Sequence, residues 1–360
     1  MTTRTYFTPR GFLYGEAAVS GTVSAVAWPL PTAQGRISFI SVERTLVEDA
    51  EIRNEVFSRA QVEDDKTDHG LARAMDPLLR AIQKAPRTYG GKDLSCPILM
   101  GIVNVTPDSF SDGGHYSDPG SAILHARALL DAGADIVDVG GESTRPGAAP
   151  VAPDEEINRV IPVIKDLANA GACVSIDTRH ALVMEAAVAA GARIINDVTA
   201  LSGEPESLKT AAKAKVPVIL MHMQGEPQTM QHNPTYVWAP GDVFDYLQGR
   251  ISACMEAGIP QELIAVDPGI GFGKSVQHNA QIMNHLALLH GLGCPIVFGA
   301  SRKSFIGRMS QGEPADQRLP GSLAAALNAV SQGAQILRVH EAAETRQALG
   351  ISKNITESES

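Results

Sequence analysis

A chain of 360 residues has room for two domains, or for one large α/β barrel with an appendage, and is too long for a peptide-like or disulfide-stapled fold. Hydrophobic residues make up 44% and charged residues 19%, the composition of an ordinary globular protein with a sizeable core. With 40 acidic against 30 basic side chains the formal charge is -10, which excludes a broad phosphate-backbone footprint, and hence a nucleic-acid partner, but not capture of a small anion. No stretch approaches the roughly 18 consecutive apolar residues of a membrane span. Pro9, Gly11, Gly15 and Glu16 interrupt what would have to be the apolar part of a secretion signal, and Cys96, Cys173, Cys254 and Cys294 are scattered without a CxxC pair. Free thiols in a reducing compartment, the cytoplasm, are expected.

In chain order, VSGTVSAVAWPL and GRISFISVERTL are expected as strands from their β-branched, partly alternating residues, and LARAMDPLLRAIQKA as a helix from its apolar spacing. Residues 1–96 therefore read as a small α+β module without a chemical constellation. Up to residue 97 the chain holds 12 basic and 12 acidic side chains, so all the net charge falls on the remainder. The Pro/Gly/polar connector PRTYGGKDLSCP (86–97) marks the boundary.

Beyond it, eight apolar runs alternate with polar, Gly-bearing loops and amphipathic helical stretches: ILMGIVNV, ADIVDVG, ACVSID, ARIIND, VPVILMH, LIAVDPG, CPIVFGAS and QILRVH. Eight β/α units in residues 97–350 predict a (β/α)8 TIM barrel. A doubly wound open sheet is the alternative, disfavoured because no GxGxxG follows the first strand. Residues 351–360 are expected as a disordered tail. Polar residues recur where the runs end, at Asn104, Asp138, Asp177, Asn196, His222, Asp267, Ser301 and Arg338. In a barrel these positions share the rim that holds active sites, although any one of them could simply satisfy backbone groups. Two long polar loops follow the first two strands (106–120 and 141–151), as lids and ligand-binding segments do. SRKS (301–304) and RVH (338–340) cluster cations after strands seven and eight, where barrels often hold phosphate. His222 has no second His or Cys at metal spacing and reads as a packed or hydrogen-bonded histidine. The segment VWAPGDVFDYL (237–247) looks irregular as a lead into the fifth helix.

NVTPDSFSDGG, DVGGESTRPGA, SIDT, IINDV, MHMQG, DPGIGFGK, SRKSFIG and RVH, in order over about residues 97–350, resemble the dihydropteroate synthases, a family of pterin-binding enzymes. The resemblance implies a folate-pathway transferase that joins p-aminobenzoate to 7,8-dihydropterin-6-ylmethyl diphosphate, releases pyrophosphate, and is a target of sulfonamides. It implies pterin contacts from Asp177, Asn196, Met221, Asp267, Phe272 and Lys303, and a carboxylate at position 267 suits the paired N–H donors of a 2-amino-4-oxopyrimidine edge. It implies diphosphate contacts from Arg145, Arg338 and His340, with substrate-binding Thr144 in the same loop as Arg145 and Mg2+ held by Asn104. The p-aminobenzoate carboxylate would sit near Lys303 and Ser304, between apolar walls from Phe110 and Pro146. The catalytic set so implied is Asp108, Arg145, Lys303, Arg338 and His340, with Asp108 near the carbocation-like centre. The weakly basic aryl amine is already neutral at pH 7 and needs no dedicated base. A homodimer and small-molecule partners only, with neither nucleic acid nor membrane, complete the expectation. Two rivals stay open: a pterin-dependent methyltransferase of the corrinoid type, and a paralogue that binds pterin without turnover.

Overall fold

The computed structural model of the protein describes residues 3–30, 36–64, 70–106, 119–143, 148–226 and 229–358. All eight apolar runs form parallel strands: β1 (Ile98–Asn104), β2 (Ile136–Gly140), β3 (Val174–Asp177), β4 (Ile194–Asp197), β5 (Val218–Met221), β6 (Ile264–Asp267), β7 (Val297–Phe298) and β8 (Ile336–Val339). They pair in the order β6-β5-β4-β3-β2-β1-β8-β7. A parallel bridge between Val266 and Ile296 joins the two ends, and the Val266 N–H donates to the Pro295 carbonyl at 2.9 Å. The sheet thus closes on itself as the expected barrel, leaving no free edge. Around it lie α1 (Pro119–Asp131), α2 (Pro153–Asn169), α3 (Ala181–Ala189), α4 (Ser207–Ala214), α5 (Ala239–Glu256), α6 (Val276–Asn284), α7 (Ser304–Met309), α8 (Leu319–Ser331) and α9 (Ala342–Glu357).

Strands buried on both faces read as continuous apolar runs, and the period of two still divides them. Val137, Val139, Ile195 and Leu337 face outward into the helical core. Ile98, Met100, Ile136, Cys173, Ile194, Ile219, Ala265, Val297 and Ile336 face inward and form a separate cluster with Tyr89 and Leu94. Tyr89 belongs to a two-residue hairpin (Thr88–Tyr89 with Lys92–Asp93) and is 2% exposed. The hairpin turn brings Gly90, at φ +57°, so near the barrel that a Cβ there would lie 2.8 Å from Ile194 Cδ1. The hairpin therefore plugs the end of the barrel where the strands begin.

Ahead of it, strand Arg4–Tyr14 pairs antiparallel with Ile37–Glu48, which pairs in turn with Glu51–Ser58. The first of these strands lies against the barrel's helices. Arg4 meets Asp242 and Asp245 of α5 at 2.6 and 3.0 Å, Arg10 donates to the Asn284 carbonyl at the end of α6, and Tyr14 donates to the carbonyl of Ser331, the last residue of α8. The helix expected within LARAMDPLLRAIQKA is present as Gly70–Lys84.

Three local expectations fail. VSGTV, expected as a strand, lies in helix Gly15–Val23. There the small residues let Ala18 pack at zero exposure under the sheet, so tertiary packing overrides the β-branched valines. The 237–247 segment is regular: Asp242 caps α5 by accepting from the Val237 and Trp238 N–H groups at 2.7 and 3.1 Å. The tail from residue 351 is helical as far as Glu357, since Glu357 pairs with Arg36 and the chain at Thr356 passes close to Gly15.

Candidate active site

The inward positions one pleat further along carry the polar residues, with Met221 the apolar exception among them. Ile136 is followed two residues on by Asp138, Ser175 by Asp177, Ile194 by Asn196, Ile219 by Met221, Ala265 by Asp267 and Ile336 by Arg338. Strand register aligns Gly140 with Asp177, Asp177 with Asn196 and Met221 with Asp267. A ring of polar side chains above an apolar floor is the outcome.

Its contacts are direct. The Arg338 guanidinium donates through Nε to Asp138 Oδ2 at 2.6 Å and through Nη2 to Asp177 Oδ2 at 2.7 Å. The Asn196 amide donates to the same Asp138 oxygen at 3.0 Å. Asp267, 5% exposed, accepts from the Gly269 N–H at 2.7 Å. Lys303 donates to the Ile270 carbonyl at 2.5 Å, and its ammonium sits 4.7 Å from the centre of the Phe272 ring. Gly299 brings the groups together, since a Cβ there would lie 3.6 Å from Arg338 Cβ and 3.7 Å from Asp267 Oδ2. Asp177, Asn196, Asp267, Lys303 and Arg338 therefore share one bowl, with Met221 and Phe272 as its apolar lining.

Burial dominates the acid–base balance. It pushes the Asp177 carboxyl up to about 7, against the pull of Arg338 and with the help of Asp138. It raises Asp267, against Lys303, and lowers Lys303 to about 8, with Asp267 resisting. Lys303 stays mainly cationic at pH 7 and can donate.

The rim residues lie around this bowl. Asn104 ends β1, half-buried, and its side chain makes no hydrogen bond to a described residue. His340 follows β8, its Nδ1 2.9 Å from Ser301 Oγ. Ser304 is exposed at the start of α7. Two carboxylates hold Arg338 over the bowl through Nε and Nη2, and the other N–H groups of its guanidinium carry no side-chain hydrogen bond to a described residue. Asp108, Phe110, Thr144, Arg145 and Pro146 lie outside the described residues. His222 is packed, as expected: it is 5% exposed and its Nδ1 lies 2.8 Å from Lys274 Nζ. Burial and that lysine depress its pKa to about 2.

Two features escaped sequence reasoning. One is Asp138, which was seen as a strand end but given no task. The other is a cluster behind the second long loop, where ligand atoms of Glu142, Glu156 and His180 lie within 4.8 Å of one another. Arg179 already supplies the cation, donating to both Glu142 oxygens at 2.9 Å. Glu142 also accepts from the Val151 N–H at 3.1 Å, tying the base of that loop together. Glu156 has zero exposure, and burial raises its carboxyl to about 8.

An α/β barrel whose mouth pairs acceptors with the half-buried Lys303 is the arrangement of a pterin-binding enzyme, and the family model described as "Pterin binding enzyme" matches residues 100–340. The dihydropteroate synthase of Haemophilus influenzae is 48% identical over 260 residues, covering 72% of this chain and 94% of the relative. Among solved structures, the Yersinia pestis dihydropteroate synthase in complex with a sulfonamide drug aligns with a TM-score of 0.71 at 47% identity, covering 74% of this chain and 96% of that one. The Xanthomonas albilineans dihydropteroate synthase with 4-aminobenzoic acid aligns with a TM-score of 0.71 at 46% identity, covering 75% and 98%. The chain belongs to the dihydropteroate synthase family.

Proposed function

We propose that the protein condenses 7,8-dihydropterin-6-ylmethyl diphosphate with p-aminobenzoate to give 7,8-dihydropteroate and pyrophosphate. The observation that carries this is the convergence of Asp177, Asn196, Asp267, Lys303 and Arg338 from five different β/α units on one bowl. Asp267 accepts the pterin's ring N–H and exocyclic amine together, and Lys303 donates to the pterin's carbonyl side. Asn196 and Asp177 take the remaining ring atoms, above Met221 and beside Phe272. Removing any one partner leaves a desolvated group, at a cost of about 1 to 3 kcal/mol.

In the reaction the methylene C–O bond breaks and its electron pair leaves on the diphosphate. The aryl amine forms the new C–N bond and loses a proton to the departing anion or to water. The chief demand is stabilisation of the leaving charge, which the Arg338 guanidinium and the His340 imidazole at the rim are suited to meet, with Arg145 as the family likeness implies. His340 is held by Ser301, and Ser304 opens α7 beside Lys303, where it is placed to meet the benzoate carboxylate.

Asn104 fits a shared Mg2+: a half-buried amide oxygen without a hydrogen-bond partner among the described residues, at the mouth, is the single donor that Mg2+ commonly takes alongside substrate phosphates. Bound there, the ion would neutralise diphosphate charge. The free thiols of the described chain accord with a cytoplasmic setting, and the family likeness extends the reading to a homodimer, which light scattering on the purified protein tests. For the activity, purified protein is supplied with both substrates and Mg2+, and pyrophosphate and 7,8-dihydropteroate are followed together. Equimolar appearance, competed by a sulfonamide against p-aminobenzoate, is expected; pterin binding without either product would overturn the reading.

A further inference from the structure

The most enclosed carboxylate of the bowl belongs to Asp138, which has zero exposure and has so far been given no task. One of its oxygens, Oδ2, accepts from both Arg338 Nε and Asn196 Nδ2, and the other has no hydrogen-bond partner among the described residues. A carboxylate can only accept. Asn196 must therefore turn its amide nitrogen toward Asp138, which leaves its carbonyl oxygen for whatever fills the bowl. The amide would otherwise be free to point either way, because its two ends have nearly the same shape. The same oxygen fixes one edge of the Arg338 guanidinium, and Asp177 fixes another.

We propose that Asp138 is a positioning residue of this site: through one buried oxygen it orients Asn196 as an acceptor and holds Arg338 in place, so that the bowl selects a heterocycle presenting an N–H to Asn196. The inference rests on the pterin reading, since it specifies which edge of the ligand Asn196 meets. It makes the bowl a patterned surface, with acceptors at Asn196, Asp177 and Asp267 and a donor at Lys303. The charged groups facing Asp138 are Arg338 and Asp177, and its own charge helps raise the Asp177 carboxyl.

Asp138→Asn tests this with the full chain. Binding of a pterin lacking the diphosphate is titrated calorimetrically from pH 5.5 to 8.5, and KM is measured for both substrates. Pterin affinity is expected to fall by about tenfold or more, with the p-aminobenzoate KM changing less than about twofold. The acid limb of pterin binding should move to lower pH, because Asp177 loses a like-charged neighbour. A purely structural role would move both KM values alike, and this result, or unchanged pterin binding, overturns the proposal. Should the variant not fold, neutron diffraction from the wild-type protein still decides, because it distinguishes the amide nitrogen from the oxygen. Asn196 Nδ2 on Asp138 is expected; Oδ1 on a protonated Asp138 refutes it. A wild-type protein that forms no dihydropteroate would sink the functional reading while leaving this orientation testable.

Discussion

Glu156 sits in the first turn of α2, where the helix dipole favours a negative charge, yet it is sealed from solvent beside Glu142 and Asp177. Burial is the largest influence on it and the two acids add to it, while the Thr178 hydroxyl and Arg179 oppose; the carboxyl is pushed from 4.5 to about 8. Between those values the folded chain keeps a proton that the unfolded chain has lost, so stability is greatest below about pH 4.5 and falls as pH rises through 8. At about 1.4 kcal/mol per pH unit, the displacement costs the folded state up to about 5 kcal/mol by pH 9. Glutamine has nearly the same shape and no proton to lose. Calorimetric unfolding of wild type and Glu156→Gln at pH 5 and pH 9 should show similar melting temperatures in acid and a variant more stable by several degrees in base, at roughly 2 °C per kcal/mol. A difference between the two proteins that stays constant with pH would show that Glu156 ionises normally, and the reasoning would fail.

Three further outcomes follow from the bowl. Asp267→Asn exchanges a double acceptor for one acceptor and one donor; calorimetry should show pterin binding weakened by roughly tenfold to a hundredfold, the loss of a hydrogen bond to a charged group, and a change below threefold would refute the fork. Because an ionised Asp177 is much the stronger acceptor, wild-type affinity for a pterin without diphosphate should decline as pH falls through about 7; a flat profile from pH 8 to 5.5 would remove a charged Asp177 from the contact. Gly269 has φ +66°, and a Cβ there would lie 1.9 Å from the His222 carbonyl oxygen, so Gly269→Ala should cost at least about 2 kcal/mol in denaturant unfolding. A neutral result would mean that the turn holding Asp267 is pliable.

The barrel was legible because each of its strands is a short run of Val, Ile, Leu and their like, bounded by a Gly-bearing loop and a helix. Asp177, Asn196, Asp267 and Arg338 could be placed on a shared rim because each closes such a run. What one strand's sequence cannot show is which neighbour takes up its side chain. That Arg338 also lies between Asp138 and Asp177 is set by the barrel's curvature, which no single strand's sequence shows. The Glu142–Arg179 pair likewise depends on two adjacent strand ends meeting. At the front of the chain, Gly15–Val23 misled because valines in a short segment follow whatever surface Ala18 finds, whereas the Gly70–Lys84 helix declares itself through four buried apolar residues at helical spacing.

The aromatic stopper formed by Tyr89 has a consequence for traffic. A chamber corked at one end by a phenol ring and the hydrocarbon around it offers molecules a single doorway. Both reactants must come in, and both products must go out, by the loop-bearing side.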